Sequence, residues 1–120
     1  ELFDINLCTR GYKQASDFFG LYSQADLAIV TRGHGTICSA GIGTPFIAID
    51  THPKIGGFMR DFGLEDYSIS PSDKNFSSKL HTMALDLISN NSIWMEKRDK
   101  GFLLARETTR QFNRKIAELL

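Results

Sequence analysis

Apolar positions in the first half of the chain follow an alternation of strands and helices. Residues 27–31 (LAIVT) and 46–49 (FIAI) are continuous apolar runs, which are typical of strands covered on both faces of a parallel sheet. Helix-like spacing occurs at 16–24, small residues at 36–42 form a short helix, and a third helix begins at Pro53 and ends before Gly63. This order predicts βαβ units and an α/β fold with a parallel, doubly wound sheet.

The second half is predicted to be helical. Residues 68–76 are polar and rich in turn formers, which predicts a loop. An amphipathic helix follows, with apolar residues at i, i+3, i+4, i+7 and i+8: Leu80, Met83, Ala84, Leu87 and Ile88. Residues 92–120 form a last long helix with one apolar face made of Phe112, Ile116 and Leu119. The chain is thus expected to be one domain of residues 1–120, with the sheet and ligand loops in 1–67 and the C-terminal helices in 76–120.

Groups that suit an anionic ligand follow the first predicted strand. Arg32, Gly33, His34 and Gly35 come directly after it, and a helix is predicted to begin at Thr36. Ligands of open α/β sheets bind beyond the carboxyl ends of the strands. The glycines let the backbone approach a ligand, and free N–H groups at a helix start attract anions. Arg32 adds a planar cation suited to carboxylate or phosphate, and His34 can move a proton near neutral pH.

Each of these two side chains has a structural alternative. Arg32 would form an ion pair with Asp26 or Asp50, and His34 would bond to a backbone carbonyl in a tight turn. The coincidence of a strand end, two glycines and a helix start favours ligand binding over both alternatives.

Polar residues also follow the second predicted strand. Lys54 is placed to reach the same crevice, and its alternative is a solvated lysine on the first turn of a helix. His52, which precedes a proline, is interpreted as a loop residue, and His81 as a residue at the surface or core edge. The histidines have no local partners at metal-ligand spacing, so no metal site is predicted.

The segment IVTRGHGTICSAGIGTPFIAIDTHPKIGGFMRDFGLEDY resembles the polysaccharide pyruvyl transferase family. Its matching elements are a strand that ends in Arg32-Gly33-His34, a small-residue helix, the turn Gly43-Thr44-Pro45, Lys54, and the helix end Asp61-Phe62-Gly63-Leu64. Position 33 departs from the pattern, because many relatives have Leu or Phe there, and this departure leaves the substrate open.

This resemblance implies two Rossmann-like domains, as in two-domain glycosyltransferases, with catalysis in the cleft between them. The chain would be the carboxy-terminal domain, and its missing N-terminal domain would form the opposite wall. Family members transfer a pyruvyl group from phosphoenolpyruvate to a sugar hydroxyl, which leaves a ketal on an exopolysaccharide or cell-wall glycan. Phosphoenolpyruvate and a glycan acceptor are therefore the expected partners, with no cofactor.

The resemblance also assigns roles to individual residues. Arg32 would bind the phosphoenolpyruvate anion, and His34 would act as general acid or base, so these two are the expected catalytic pair. Lys54 would be a further anion contact. When the interpretation of the glycine-rich segment after the first strand is added, the expected substrate-binding residues are Arg32, Gly33, Gly35, Thr36 and Lys54.

Charge and composition exclude several other classes. Fourteen basic and fourteen acidic side chains give a net charge of zero, which argues against nucleic acid or an anionic membrane as partner. Cys8 and Cys38 are far apart and predict buried thiols in a reducing, cytoplasmic compartment. The apolar runs are far shorter than the ~18 to 20 residues of a membrane span.

The chain starts at Glu1 and enters an apolar segment at once, which predicts a piece of a longer protein.

Two other functions remain open at this stage. The same fold would serve a sugar-nucleotide glycosyltransferase, with Arg32, Lys54 and the helix start holding a diphosphate, although no acidic residue is placed to bind a ribose. Alternatively, the chain is a non-catalytic fragment whose exposed apolar face pairs with the missing domain or with a second copy as a homodimer.

Overall fold

The computed structural model of the protein describes the backbone from residue 15 to residue 120. In order along the chain the elements are α1 (Ala15–Ser23), β1 (Ala28–Val30), α2 (Gly33–Ile42), β2 (Phe46–Ile49), α3 (Pro53–Asp61), a 3-10 helix (Glu65–Tyr67), β3 (Ser68–Ile69), α4 (Phe76–Ser89) and α5 (Ser92–Leu119). The predicted apolar segment Leu2 to Cys8, including the thiol of Cys8, lies outside the described residues. Cys38 is half-buried, so it is less enclosed than predicted.

The three strands form a parallel sheet in the order β1-β2-β3. Ala28 pairs with Phe46, and Ala48 pairs with Val30 on one side and Ser68 on the other. The central strand β2 is covered on both faces, since Phe46, Ile47 and Ala48 are fully buried. This burial explains its uninterrupted apolar sequence. The α/β fold and the parallel pairing of the strands are confirmed.

The predicted loop at 68–76 was wrong at its first two residues, which form β3. Ile69 is the buried residue of this strand, and Ser68 beside it is polar, so no apolar run marks the element. The strand is held instead by its pairing with β2, and the carbonyl of Ile69 accepts from the N–H of Asp50 at 2.8 Å. A two-residue strand of this kind gives no periodic signal in a sequence.

The start of α2 also differs from the prediction, because the helix begins at Gly33 and not at Thr36. Arg32 is the N-cap in an extended conformation, with φ −127° and ψ 143°. Gly35 is buried against β1, where a Cβ atom would come 3.1 Å from the Cβ of Val30. Close packing on the strand therefore stabilises a helical first turn that two glycines made improbable from propensity alone.

Helix α5 attaches to the sheet through its first three turns. The Trp94 ring is fully buried and meets Phe46 edge to face, with ring centroids 5.6 Å apart. Arg98 donates from Nε to the carbonyl of Ala40 at 2.7 Å and from Nη2 to that of Gly41 at 3.2 Å. A cation thus satisfies carbonyls at the C-terminal end of α2, which suits the partial negative charge there.

The rest of α5 extends beyond this packed region. Its predicted apolar face is present on the helix, but Phe112 is 62% exposed, Ile116 40% and Leu119 86%. None of the other described residues covers this face. It therefore contributes little to the core, which is formed by the sheet, by α2 to α4 and by the start of α5.

We expect Gly101→Ala to destabilise the fold by about 1–3 kcal/mol, the usual cost of overpacking. A Cβ atom at Gly101 would lie 2.7 Å from Cδ1 of Phe62 and 2.8 Å from its carbonyl oxygen, so α5 would have to move away from the end of α3. Urea unfolding measures the change. Gly57→Ala is the matched control, because its Cβ meets nothing within 4 Å, and it should gain about 0.5–1 kcal/mol. Equal stabilisation by both substitutions would contradict this contact.

Candidate functional site

A cavity of about 690 Å³ lies at the carboxyl ends of β1 and β2. Its lining comes from the segments that follow these two strands: Thr31, Arg32, Gly33, His34, Thr36 and Ile37 from the first, and Thr51, His52, Lys54, Ile55 and Phe58 from the second. The polar residues that follow the two strands thus lie around one cavity. Thr51 also links the two segments, because its hydroxyl donates to the carbonyl of Thr31 at 3.0 Å.

None of the residues that line the cavity is acidic, so its cationic groups have no carboxylate beside them in the lining. Arg32 and Lys54 are both exposed, and neither Asp26 nor Asp50 lies within ion-pair distance of Arg32. Asp50 instead lines a separate depression beside Gly56. The structural alternative for Arg32 is therefore absent, and the cavity presents a locally positive surface although the whole chain is neutral.

The first turn of α2 adds backbone donors to this surface. The first intrahelical bond runs from the N–H of Thr36 to the carbonyl of Arg32, at 3.2 Å. The N–H groups of Gly33, His34 and Gly35 precede that bond and have no helical acceptor. Such a helix start, with its partial positive charge, favours an anionic ligand.

His34 sits in this first turn with an exposed imidazole. No hydrogen bond from its ring to a backbone carbonyl is present within the described part of the chain, so the structural alternative predicted for it is absent. His34 directly follows Gly33 in α2, and its ring lines the cavity together with Arg32. A ligand held by the guanidinium would therefore be close to a group that can donate or accept a proton.

Two of the predicted substrate-binding residues act mainly through packing. The Thr36 side chain is fully buried, and its hydroxyl donates to the carbonyl of Gly33 at 2.6 Å, so this hydroxyl stabilises the helix start. Gly35 does not line the main cavity. It borders an adjoining depression of about 380 Å³ that Arg32, His34 and Tyr22 also line. Burial raises the pKa of Tyr22, and the neighbouring Cys38 raises it further, so this phenol is protonated at neutral pH.

His52 is a site residue that the sequence interpretation missed. It is the N-cap of α3, and its Nδ1 accepts from the N–H of Lys54 at 3.2 Å. An accepting Nδ1 leaves the proton of the neutral ring on Nε2, which makes Nε2 a hydrogen-bond donor at the cavity. Pro53 at the first helical position was the available signal, since the residue before such a proline caps the helix.

Two apolar residues of the cavity were also missed. Ile37 on α2 and Phe58 on α3 line the cavity beside the polar groups. The sequence predicts both only as helical residues, because an apolar residue in a helix is normally part of the core. His81, in contrast, is exposed on α4 and does not line the cavity, in agreement with its interpretation as a surface residue.

No group of three or more His, Cys, Asp or Glu side chains between residues 15 and 120 could hold a metal ion. None of the helices in that range has both the length and the hydropathy of a membrane span.

The fold and the cavity together define an α/β protein with a crevice at the strand ends that is lined by cationic and no acidic side chains. The polysaccharide pyruvyl transferase family model matches residues 4–53 of the chain, a span that contains Arg32, Gly33 and His34 and ends one residue before Lys54. The resemblance inferred from the sequence is confirmed over this span, and the matched family is one of transferases. No curated protein and no solved structure matches the chain significantly.

Proposed function

We propose that this chain binds phosphoenolpyruvate in the cavity and contributes to the transfer of its pyruvyl group to a sugar hydroxyl of a polysaccharide or cell-surface glycan. One observation carries the proposal. Arg32, His34 and Lys54 line a single cavity that has no acidic lining residue, and the first two lie inside the segment that matches the family.

Phosphoenolpyruvate carries a carboxylate and a phosphate ester on the same central carbon. The planar guanidinium of Arg32 suits either group in a two-point contact, whereas the ammonium of Lys54 acts as a point charge. The first-turn N–H groups of α2 can donate hydrogen bonds to the remaining anionic oxygens. These donors sit on two different segments, so one small anion can be held between them.

The reaction needs a proton at the methylene carbon of phosphoenolpyruvate and stabilisation of the negative charge on its carboxylate and phosphate. The acceptor oxygen attacks the central carbon of phosphoenolpyruvate while a proton is delivered to its methylene carbon. A second hydroxyl of the same sugar then displaces phosphate and closes the ketal. His34 would donate or accept the proton in these steps, and Arg32 and Lys54 would stabilise the charge on the carboxylate and on the leaving phosphate.

The predicted domain arrangement belongs to the same proposal. Arg32, His34, His52 and Lys54 are exposed, so this chain would form one wall of a larger cleft. A second Rossmann-like domain would face that wall and bring further groups to the glycan. The reaction would take place in the cytoplasm, where phosphoenolpyruvate is made, as a step in building an exopolysaccharide or another component of the cell envelope.

The first test is a titration of the purified chain with phosphoenolpyruvate, inorganic phosphate and a uridine diphosphate sugar, followed by thermal unfolding and binding heat. We expect phosphoenolpyruvate to raise the melting temperature more than phosphate does at equal concentration, since it offers two anionic groups. A larger effect of the nucleotide sugar would replace the proposal with a glycosyltransferase. Equal effects of phosphate and phosphoenolpyruvate would remove the specific donor site.

We further expect His52→Asn and His52→Ala to separate capping from ligand binding. Asparagine is a good N-cap, so His52→Asn should keep the free energy of unfolding within about 0.5 kcal/mol, whereas His52→Ala should lose about 0.5–1 kcal/mol. Both variants lose the Nε2 donor, and both should bind phosphoenolpyruvate about three- to tenfold more weakly. Normal affinity in His52→Asn would show that His52 only caps α3.

A further inference from the structure

Apolar side chains form part of the cavity that also holds the cationic groups. Ile37 lies one helical turn after Gly33 on α2 and is 56% exposed. Phe58 lies one turn after Lys54 on α3 and is half-buried. Because residues four apart share a face of a helix, each helix presents a first-turn residue and an apolar residue to the same cavity. The cavity therefore has a polar part at the strand ends and an apolar part between α2 and α3.

The aromatic ring in this apolar part is held in place from behind. Phe58 stacks on Phe62, with ring centroids 4.4 Å apart and planes at 22°. Phe62 in turn meets Phe102 edge to face, with centroids 5.2 Å apart, and the guanidinium of Arg98 lies 4.8 Å from the centroid of Phe102. One face of Phe58 is thus covered by protein, and the ring still lines the cavity. A braced ring can bind a ligand with little loss of side-chain entropy.

Gly33, at the junction of the two parts, has no structural reason to be glycine. Its φ is not positive, and an added Cβ would meet no atom within 4 Å. Gly35, by comparison, would bring its Cβ to 3.1 Å from that of Val30. Glycine is less favourable than alanine in a helix, so Gly33 has a cost that packing does not explain. Its effect is a stretch of cavity wall without a side chain, beside Arg32 and His34.

The size of the cavity leaves room for a second ligand group. Its volume of about 690 Å³ is in the range of about 300–1,000 Å³ that is usual for sites of drug-sized molecules. Phosphoenolpyruvate is a compact anion of about ten non-hydrogen atoms, and its charged groups belong with the polar part. The apolar part and the bare wall at Gly33 thus remain for another group.

We propose that Gly33, Ile37 and Phe58 form an acceptor subsite that binds a pyranose ring by its apolar face. The C–H bonds on such a face carry partial positive charge and pack well on the negative face of an aromatic ring. The bare backbone at Gly33 lets the ring edge, with its hydroxyls, come close to Arg32 and His34. This inference rests on the proposed function for the pairing of the two ligands, but the binding of the sugar can be measured alone.

The test uses saturation-transfer NMR with methyl β-glucopyranoside, whose hydroxyls are all equatorial and leave C–H bonds on both ring faces. Sorbitol, an open-chain polyol, is the ligand control. We expect saturation to be strongest on ring C–H protons, and affinity to fall about three- to tenfold in Phe58→Leu and in Gly33→Leu. Phe58→Leu also removes a packing contact with Phe62. Ile37→Ser, at an exposed position, is therefore the second variant, with little risk to folding. Leu85→Ala, at an exposed position on α4, should leave affinity unchanged.

The outcomes separate this subsite from the donor site. Absence of binding, equal binding of sorbitol, or full affinity in both Phe58→Leu and Ile37→Ser would overturn the subsite. Retained stabilisation by phosphoenolpyruvate in those two variants, together with weaker sugar binding, would support it. If phosphoenolpyruvate has no effect on the wild type but sugar binding still requires Phe58 and Ile37, the proposed transfer reaction fails and the pyranose subsite stands.

Discussion

Arg32→Ala is expected to weaken phosphoenolpyruvate binding by about ten- to a hundredfold, which is the usual loss when a charge-assisted hydrogen bond to an anion is removed. Arg32 is exposed and caps α2 only through its backbone, since no side-chain bond to the helix is present. The free energy of unfolding should therefore stay close to that of the wild type. Isothermal titration calorimetry and urea unfolding on the same samples measure both quantities.

Two further variants sharpen the interpretation of this result. Arg32→Lys keeps the charge but loses the planar fork, so its affinity should fall between those of the wild type and Arg32→Ala. Arg110→Ala removes an exposed cation of α5 that does not line the cavity, and it should bind normally. An unfolded Arg32→Ala protein would indicate a structural role for the guanidinium. Wild-type affinity in that variant would remove Arg32 from the site.

His34→Gln is expected to reduce turnover by about a hundred- to ten-thousandfold, the typical contribution of a positioned acid or base. Glutamine keeps a hydrogen-bonding side chain of similar size at this exposed position but cannot move a proton at neutral pH. Affinity for phosphoenolpyruvate should change far less than turnover. Release of inorganic phosphate in the presence of a glycan acceptor measures the rate, and calorimetry measures the affinity.

The control for this second prediction is another histidine. His81 is exposed on α4 and does not line the cavity, so His81→Gln should retain full turnover. Unchanged turnover in His34→Gln would exclude His34 from proton transfer. In that case His52, which presents a donor at the same cavity, would be the next residue to substitute.

The strands that carry the site could be predicted because their burial appears directly in the sequence. β2 is covered on both faces and reads as four apolar residues in a row, while β3 depends on backbone pairing and only Ile69 is buried. A strand that is buried on both faces, such as β2, has a compositional signal in the sequence, whereas a strand such as β3 has none. Both belong to the same sheet, so the sequence predicted the two strands that precede the cavity-lining segments and missed the third strand.

The start of α2 shows how packing overrides local propensity. Two glycines in three residues argue against a helix, and the prediction accordingly placed its first residue at Thr36. Gly35 is required because a side chain there would press against Val30, whereas a Cβ atom added at Gly33 would meet no atom within 4 Å. Propensity treats these two glycines alike, although one serves packing and the other borders the cavity.

Contacts between distant residues were beyond any sequence pattern. Arg98 follows Ala40 by 58 residues and ties α5 to the end of α2. Phe58 was visible only as an apolar residue of α3, and its place beside the cationic groups depends on how two crossover helices lie next to each other. Sequence motifs consist of residues that are close together in the chain, whereas these contacts join residues that are far apart in it.

The buried ring of Trp94 sets a limit on how the chain can be divided. Every residue of the cavity lies at or before Phe58, and a shortened protein that stops at Tyr67 would still contain all of them. It would lack the side chain that covers Phe46, however, and the central strand of the sheet would be open to water on that side. The candidate site is therefore compact in sequence but not autonomous in folding, and transplanting it into another protein requires the beginning of α5 as well.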